Sequence, residues 1–171
     1  MSPITVLIVD RDGVRRAACV RLLQAEKGIR IVGRAHSGLE DISSMLNLKP
    51  NILLIDLGLL EGKEISRLFV LRHKSPQTKV ILLVRCAREI RILEALSCGV
   101  RGYIEEIVLV TFLAKAVRCV DAGEAWVPRK IVPKIIEHLA RMTARGGKRK
   151  FVFWILRERT LEPRSLVPRS N

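Results

Sequence analysis

The chain has 171 residues, 49% of them hydrophobic and 28% charged, and a formal net charge of +14. That length suits one well-buried domain with a remainder, and the composition excludes a disordered or collagen-like chain. The positive balance favours polyanionic partners and says nothing about fold. No run approaches the ~18 apolar residues of a membrane span, and Met1–Thr5 leads straight into a strand-like run rather than a signal peptide.

Ile4–Val9 is an apolar run that ends in Asp10. Asp12 stands where a helix N-cap belongs, and the following periodicity places Val14, Ala18, Leu22 and Ala25 on an inner face, with Arg15, Arg16 and Arg21 elsewhere. A metal-ligand role for Asp12 is the alternative to capping. Ile29–Ala35 alternates, with Arg30 and Arg34 on one side, as in a half-exposed edge strand. Ser37–Leu46 reads as a short helix, and Lys49-Pro50-Asn51 breaks the chain before Ile52–Ile55, a second buried-strand run closed by Asp56.

Glu61–His73 reads as a helix, Val80–Val84 as a strand and Ala87–Cys98 as a helix stopped by Gly99. Val100–Ile104 is a strand containing Gly102. Val108–Ala122 is a helix with Val110, Leu113, Val117 and Val120 inward. Five βα repeats with right-handed crossovers imply an α/β fold, a flavodoxin-like doubly wound five-stranded parallel sheet of order 2-1-3-4-5. In such sheets function lies at the carboxyl ends of the strands, which brings Asp10 and Asp56 into one crevice.

Beyond Gly123, Val132, Ile135, Ile136, Leu139 and Met142 mark a sixth helix. The expected organisation is a main domain over 1–124, a linker helix over 125–143 and a flexible basic tail over 144–171. The tail carries eight basic and two acidic residues, including Lys148, Arg149 and Lys150. Such a run is either a solvated linker or a weak, salt-sensitive contact to nucleic acid. Leu166-Val167-Pro168-Arg169 resembles a thrombin cleavage sequence, so an origin in an expression vector is one reading of this tail. Cys19, Cys86, Cys98 and Cys119 lack metal-site or disulfide spacing and are expected to be buried thiols in a reducing cytoplasm.

The ordered pieces Val-Leu-Ile-Val-Asp at 6–10, Leu-Leu-Ile-Asp at 53–56, Lys-Val-Ile-Leu-Leu at 79–83, Glu-Ala-Leu with Gly-Val-Arg-Gly-Tyr at 94–103 and Ala-Gly-Glu-Ala-Trp at 122–126 resemble the receiver domain of two-component response regulators. The resemblance is greatest to the subfamily with a C-terminal LuxR-type helix-turn-helix. Leu161–Ser165 is similar to the opening of that output domain, which is therefore expected to be absent or truncated. The resemblance aligns Asp56 with the phosphoacceptor, Asp10 with the first acid of the metal pair and Tyr103 with the switch aromatic. A packing role for Tyr103 is the other reading.

It also implies a second acid, a Thr or Ser and a Lys at positions held here by Arg11, Val84 and Glu106. The expectation is a degenerate receiver in which Arg11 lies across Asp56 and Glu106 as a built-in cation. Asp56 is then either a slow phosphoacceptor or a relic, and Asp10 and Asp56 hold Mg2+ weakly if at all. The implied function is signal transduction with regulation of transcription and no enzymatic activity. The alternative is a phosphorylation-independent interaction module, or a weak nucleic-acid binder acting through the tail. Implied partners are a histidine kinase or other signalling protein and a second copy of the chain. The weak homodimer would form through Ile90, Leu93 and Val110, with no membrane involved.

Overall fold

The computed structural model describes residues 2–36, 44, 46–60, 65 and 67–144. Five parallel strands, β1 (Ile4–Val9), β2 (Ile29–Ala35), β3 (Ile52–Asp56), β4 (Lys79–Val84) and β5 (Gly102–Glu105), form one sheet in the order β2-β1-β3-β4-β5. The helices are α1 (Gly13–Gln24), α2 (Arg67–Lys74), α3 (Glu89–Ser97), α4 (Leu109–Asp121) and α5 (Val132–Ala144). The expected flavodoxin-like topology is present. The expected helix over 37–46 falls almost wholly outside the described residues, as do 61–64 and 66.

Side-chain alternation divides the core into two layers. Leu7, Val9, Leu53, Ile55, Leu82, Val84 and Tyr103 face α2 and α3. Val6, Ile8, Ile52, Leu54, Ile81, Leu83 and Ile104 face α1 and α4. The central strand β3 is buried on both faces along its whole length, which is why its sequence is an unbroken apolar run. Asn51 sets the β1–β3 register below it. Its Oδ1 accepts from Thr5 N at 2.8 Å and from Thr5 Oγ1 at 2.7 Å.

Two helix faces differ from the sequence expectation. Val14 and Val110 are 82% and 75% exposed. The inner face of α1 is Arg15, Cys19, Val20 and Leu23, and that of α4 is Leu109, Leu113, Ala116, Val117 and Val120. Asp12 is the N-cap of α1, its Oδ1 accepting from Val14 N at 2.9 Å and Arg15 N at 3.1 Å. β5 begins later than expected because Val100 still belongs to the end of α3. Gly99 turns at φ 92°, Gly99 N donates to Leu96 O at 3.0 Å, and Val100 N donates to Ala95 O at 3.4 Å.

The outer edge of β5 is covered by the chain that follows α4. Tyr103 N donates to Trp126 O at 3.1 Å and Trp126 N to Arg101 O at 3.0 Å. This approach requires Gly102, where a Cβ would lie 2.3 Å from the Trp126 carbonyl oxygen. Trp126 packs on Phe112, with ring centroids 6.0 Å apart. Ile131 is buried, Ile135 packs on the same layer, and Lys134 Nζ meets Glu89 Oε2 at 2.5 Å, so α5 lies against α3. Leu93 is inside this packing and does not supply the dimer contact expected of it. Ile90 is half-exposed.

Candidate functional site

Asp10 and Asp56 sit at the carboxyl ends of the adjacent strands β1 and β3, and both are buried. A carboxylate in that position needs a compensating charge and hydrogen bonds. Arg15, on the first turn of α1, supplies both. Its Nε donates to Asp10 Oδ2 at 2.6 Å and its Nη2 to Asp10 Oδ1 at 2.9 Å. The same Nη2 lies 2.8 Å from Asp56 Oδ1, and Nη1 lies 3.6 Å from Glu106 Oε2. Arg15 is itself only 5% exposed. Its burial works against the charged guanidinium. The hydrogen bond from Asp10 and the charges of Asp10 and Asp56 outweigh that, holding its pKa above the ordinary arginine value.

This corrects the sequence expectation for Arg11. Arg11 does reach Asp56, with Nε at 3.1 Å from Oδ2, but its side chain is 52% exposed and stands at the rim. The cation that joins the carboxylates is Arg15. Gly58 leaves room for Arg11, since a Cβ there would lie 1.9 Å from Arg11 Nη2. Its N–H donates to Asp56 Oδ1 at 3.1 Å.

Glu106 is met by a second unforeseen arginine. Arg85 Nε donates to Glu106 Oε2 at 2.7 Å, and Arg85 Nη2 reaches Glu106 Oε1 and Asp12 Oδ2. The hydrogen bond from Arg85 pulls Glu106 below the usual carboxylate value. Asp12 is lowered chiefly by the backbone N–H of Arg15, with Arg85 adding to it. Asp12 N also donates to Asp10 Oδ1 at 2.9 Å, so both Asp10 oxygens are engaged.

The remaining sequence candidates fall as follows. Val84 is buried at the end of β4 and offers no hydroxyl. Tyr103 is buried in the layer beneath α3, and burial followed by the charges of Glu105 and Glu89 raises its pKa. Lys148, Arg149 and Lys150 lie outside the described residues. Of the thiols, Cys19 and Cys98 are buried, Cys119 is intermediate and Cys86 is exposed, against the expectation that all four are buried.

Sequence reading missed Arg15 and Arg85. A signal for Arg15 was present: it is five residues beyond Asp10 and shares the i, i+4, i+8 row with Cys19 and Leu23. Arg85 follows Val84 directly at a strand end, with no comparable pattern.

The pocket does not fit a divalent cation. Such an ion needs several oxygen ligands converging on one point. Here Arg15 Nη2 is hydrogen-bonded to one oxygen of each aspartate. Among the described residues no group of three or more His, Cys, Asp or Glu is placed to hold a metal.

A doubly wound sheet with two acids side by side at the β1 and β3 ends is the framework of a signal-receiving domain. The family model described as the response regulator receiver domain matches residues 6–118. The chain belongs to this family and is a signal-transduction protein of the two-component type. It is 29% identical over 161 residues to the response regulator GacA of Pseudomonas viridiflava, a match covering 93% of this chain and 72% of that one. It is 30% identical over 159 residues to the response regulator protein VraR of Staphylococcus aureus (strain Mu3 / ATCC 700698), covering 93% and 73%. Among solved structures, a two-component response regulator of the LuxR family from Aurantimonas sp. SI85-9A1 has a TM-score of 0.69 at 20% identity, covering 81% of this chain and 99% of that one. The isolated receiver domain of RcsB from Salmonella enterica serovar Typhimurium, in the presence of the phosphomimetic BeF3-, has a TM-score of 0.67 at 18% identity, covering 77% and 98%. These likenesses extend to the fold. Among the described residues, no helix is long and apolar enough to cross a membrane.

Proposed function

We propose that this receiver is degenerate and works without metal-dependent phosphorylation, as a non-enzymatic signalling module that acts through protein contact. The observation that carries this reading is Arg15 Nη2, hydrogen-bonded to both Asp10 and Asp56. Phosphoryl transfer depends mostly on positioned charge, with a mobile cation neutralising the incoming group. Here a fixed cation is already neutralised by two aspartates. Val84 cannot donate to a phosphoryl oxygen, and Glu106 repels one. Asp56 is then a structural relic of the phosphoacceptor.

Protein contact has a surface to work through. Val14 and Ile107 are 82% and 89% exposed, and each adjoins a residue of the Asp12–Arg85–Glu106 network (Val14 lies two residues beyond Asp12, Ile107 follows Glu106). A histidine kinase or another signalling protein is the expected partner class. Regulation of transcription is inferred from the similarity to response regulators, one of them of the LuxR family.

Incubation with a small phosphodonor and Mg2+, read by intact mass, tests this. The native chain should gain no phosphoryl adduct. The combined change Arg11→Asp, Arg15→Ala, Val84→Thr, Glu106→Lys should gain one that Asp56→Asn removes. Restoring single positions should help little, because groups in one network are non-additive. Native protein modified as fast as the combined variant would refute the reading.

A further inference from the structure

Above the closed carboxylate network lies an open cavity of about 520 Å3, lined by Arg11, Arg15, Arg85, Arg88 and Arg91 against two acids, Asp12 and Asp56. That volume is in the range of small-ligand sites. We infer that this cavity binds a small phosphate-bearing metabolite non-covalently, with the anionic group held among the arginines at its mouth.

Three independent features support an anion here. Arg88 is exposed, and its guanidinium makes no ion pair or hydrogen bond with a described residue. It also occupies the N-cap position of α3 without a side-chain cap, so the first N–H groups of this nine-residue helix remain available beside it. At the floor, Arg15 Nη1 is a buried donor with no hydrogen-bond acceptor, Glu106 Oε2 standing 3.6 Å away. An unspent buried donor beneath a rim of arginines is a site built for an acceptor-rich ligand.

The geometry selects phosphate over carboxylate. A planar carboxylate is met by one guanidinium fork, whereas the tetrahedral oxygens of a phosphate engage several guanidinium groups that approach from different strands and helices. Leu57, Val84 and Ala87 form an apolar wall against which the organic body would rest. The inference goes beyond the proposed function and does not need it, because binding here requires no bond to Asp56.

Titration calorimetry of the full chain without Mg2+, using orthophosphate, pyrophosphate and ADP, tests the site. Cys86 lines the cavity and is exposed, so its alkylation by neutral iodoacetamide reports occupancy of the same place. The expected result is saturable binding, tightest for ADP, that slows alkylation of Cys86 but not of Cys119 and leaves the intact mass unchanged. Arg88→Ala should weaken binding about tenfold, the loss of one charge-assisted contact. Arg88→Lys should restore part of it, and Arg30→Ala, on the exposed face of β2, should change nothing. Absence of saturable binding, unprotected Cys86 or indifference to Arg88→Ala would each overturn the inference. A phosphoryl adduct at Asp56 would instead contradict the proposed function and leave the binding result to stand on its own.

Discussion

The bodies of the strands and their carboxyl ends are built on different physics. Along β1, β3 and β4 the side chains are aliphatic, buried on two faces and held by area alone. A few ångströms further on, at Asp10 and Asp56, stability depends on a particular guanidinium reaching particular oxygens. The first region tolerates rearrangement among similar shapes. The second fails if one charge is removed, because what remains is a buried ion without a partner.

Truncation in each region separates the two. Arg15→Ala strands Asp10 and Asp56 against each other and should destabilise by about 3–5 kcal/mol. Leu54→Ala opens a cavity in the α1/α4 layer and should cost about 2–5 kcal/mol. The sizes overlap, but the rescue differs. Mg2+ should restore part of the stability of Arg15→Ala, where the two carboxylates are released to bind it, and none of that of Leu54→Ala. Denaturant melts with and without Mg2+ measure both.

pH provides a smaller contrast. Glu106 has its pKa lowered from the ordinary 4.5, mainly by its hydrogen bond from Arg85. Its contribution is therefore complete above that value and lost as the pH falls through the depressed folded value. Arg85→Gln should be less stable than the native chain at neutral pH, and the two should converge in acid. Core variants such as Leu54→Ala should keep a constant difference from native over the same range. Thermal melts across the acid limb distinguish these outcomes.

The smallest effect is chemical. Burial, with the charge of Asp10, pushes Cys19 up to about 12, and burial with Glu94 pushes Cys98 up to about 11. Cys86, at the exposed strand end, should be alkylated first, Cys119 next, and Cys19 and Cys98 only on unfolding. Time-resolved peptide mapping reads the order.

The same division explains what was legible in the sequence. Unbroken apolar runs closed by Asp10 and Asp56 were sufficient for the strands, their parallel order and the placing of the two acids, because burial on both faces leaves no other composition for a central strand. Helix faces were read less well. Val14 and Val110 have apolar side chains at helix starts, where the helix projects past the sheet and nothing covers them. Arg15 was read as an outer residue because its charge suggests solvent. Its long stem instead carries that charge inward to Asp10, and no hydropathy pattern encodes which side chain can reach. The covering of β5 by Trp126 was announced only by Gly102, whose missing Cβ has a reason that appears once the chain folds back.

The central claim is that a fixed arginine, not a mobile metal, balances Asp10 and Asp56. The most direct measurement is a Mg2+ titration followed by backbone amide NMR at Asp10, Asp12, Asp56 and Gly58. The native chain should show no saturable shifts at these amides at millimolar Mg2+, and Arg15→Ala should acquire them. Saturable shifts at Asp10 and Asp56 in the native chain would contradict the account.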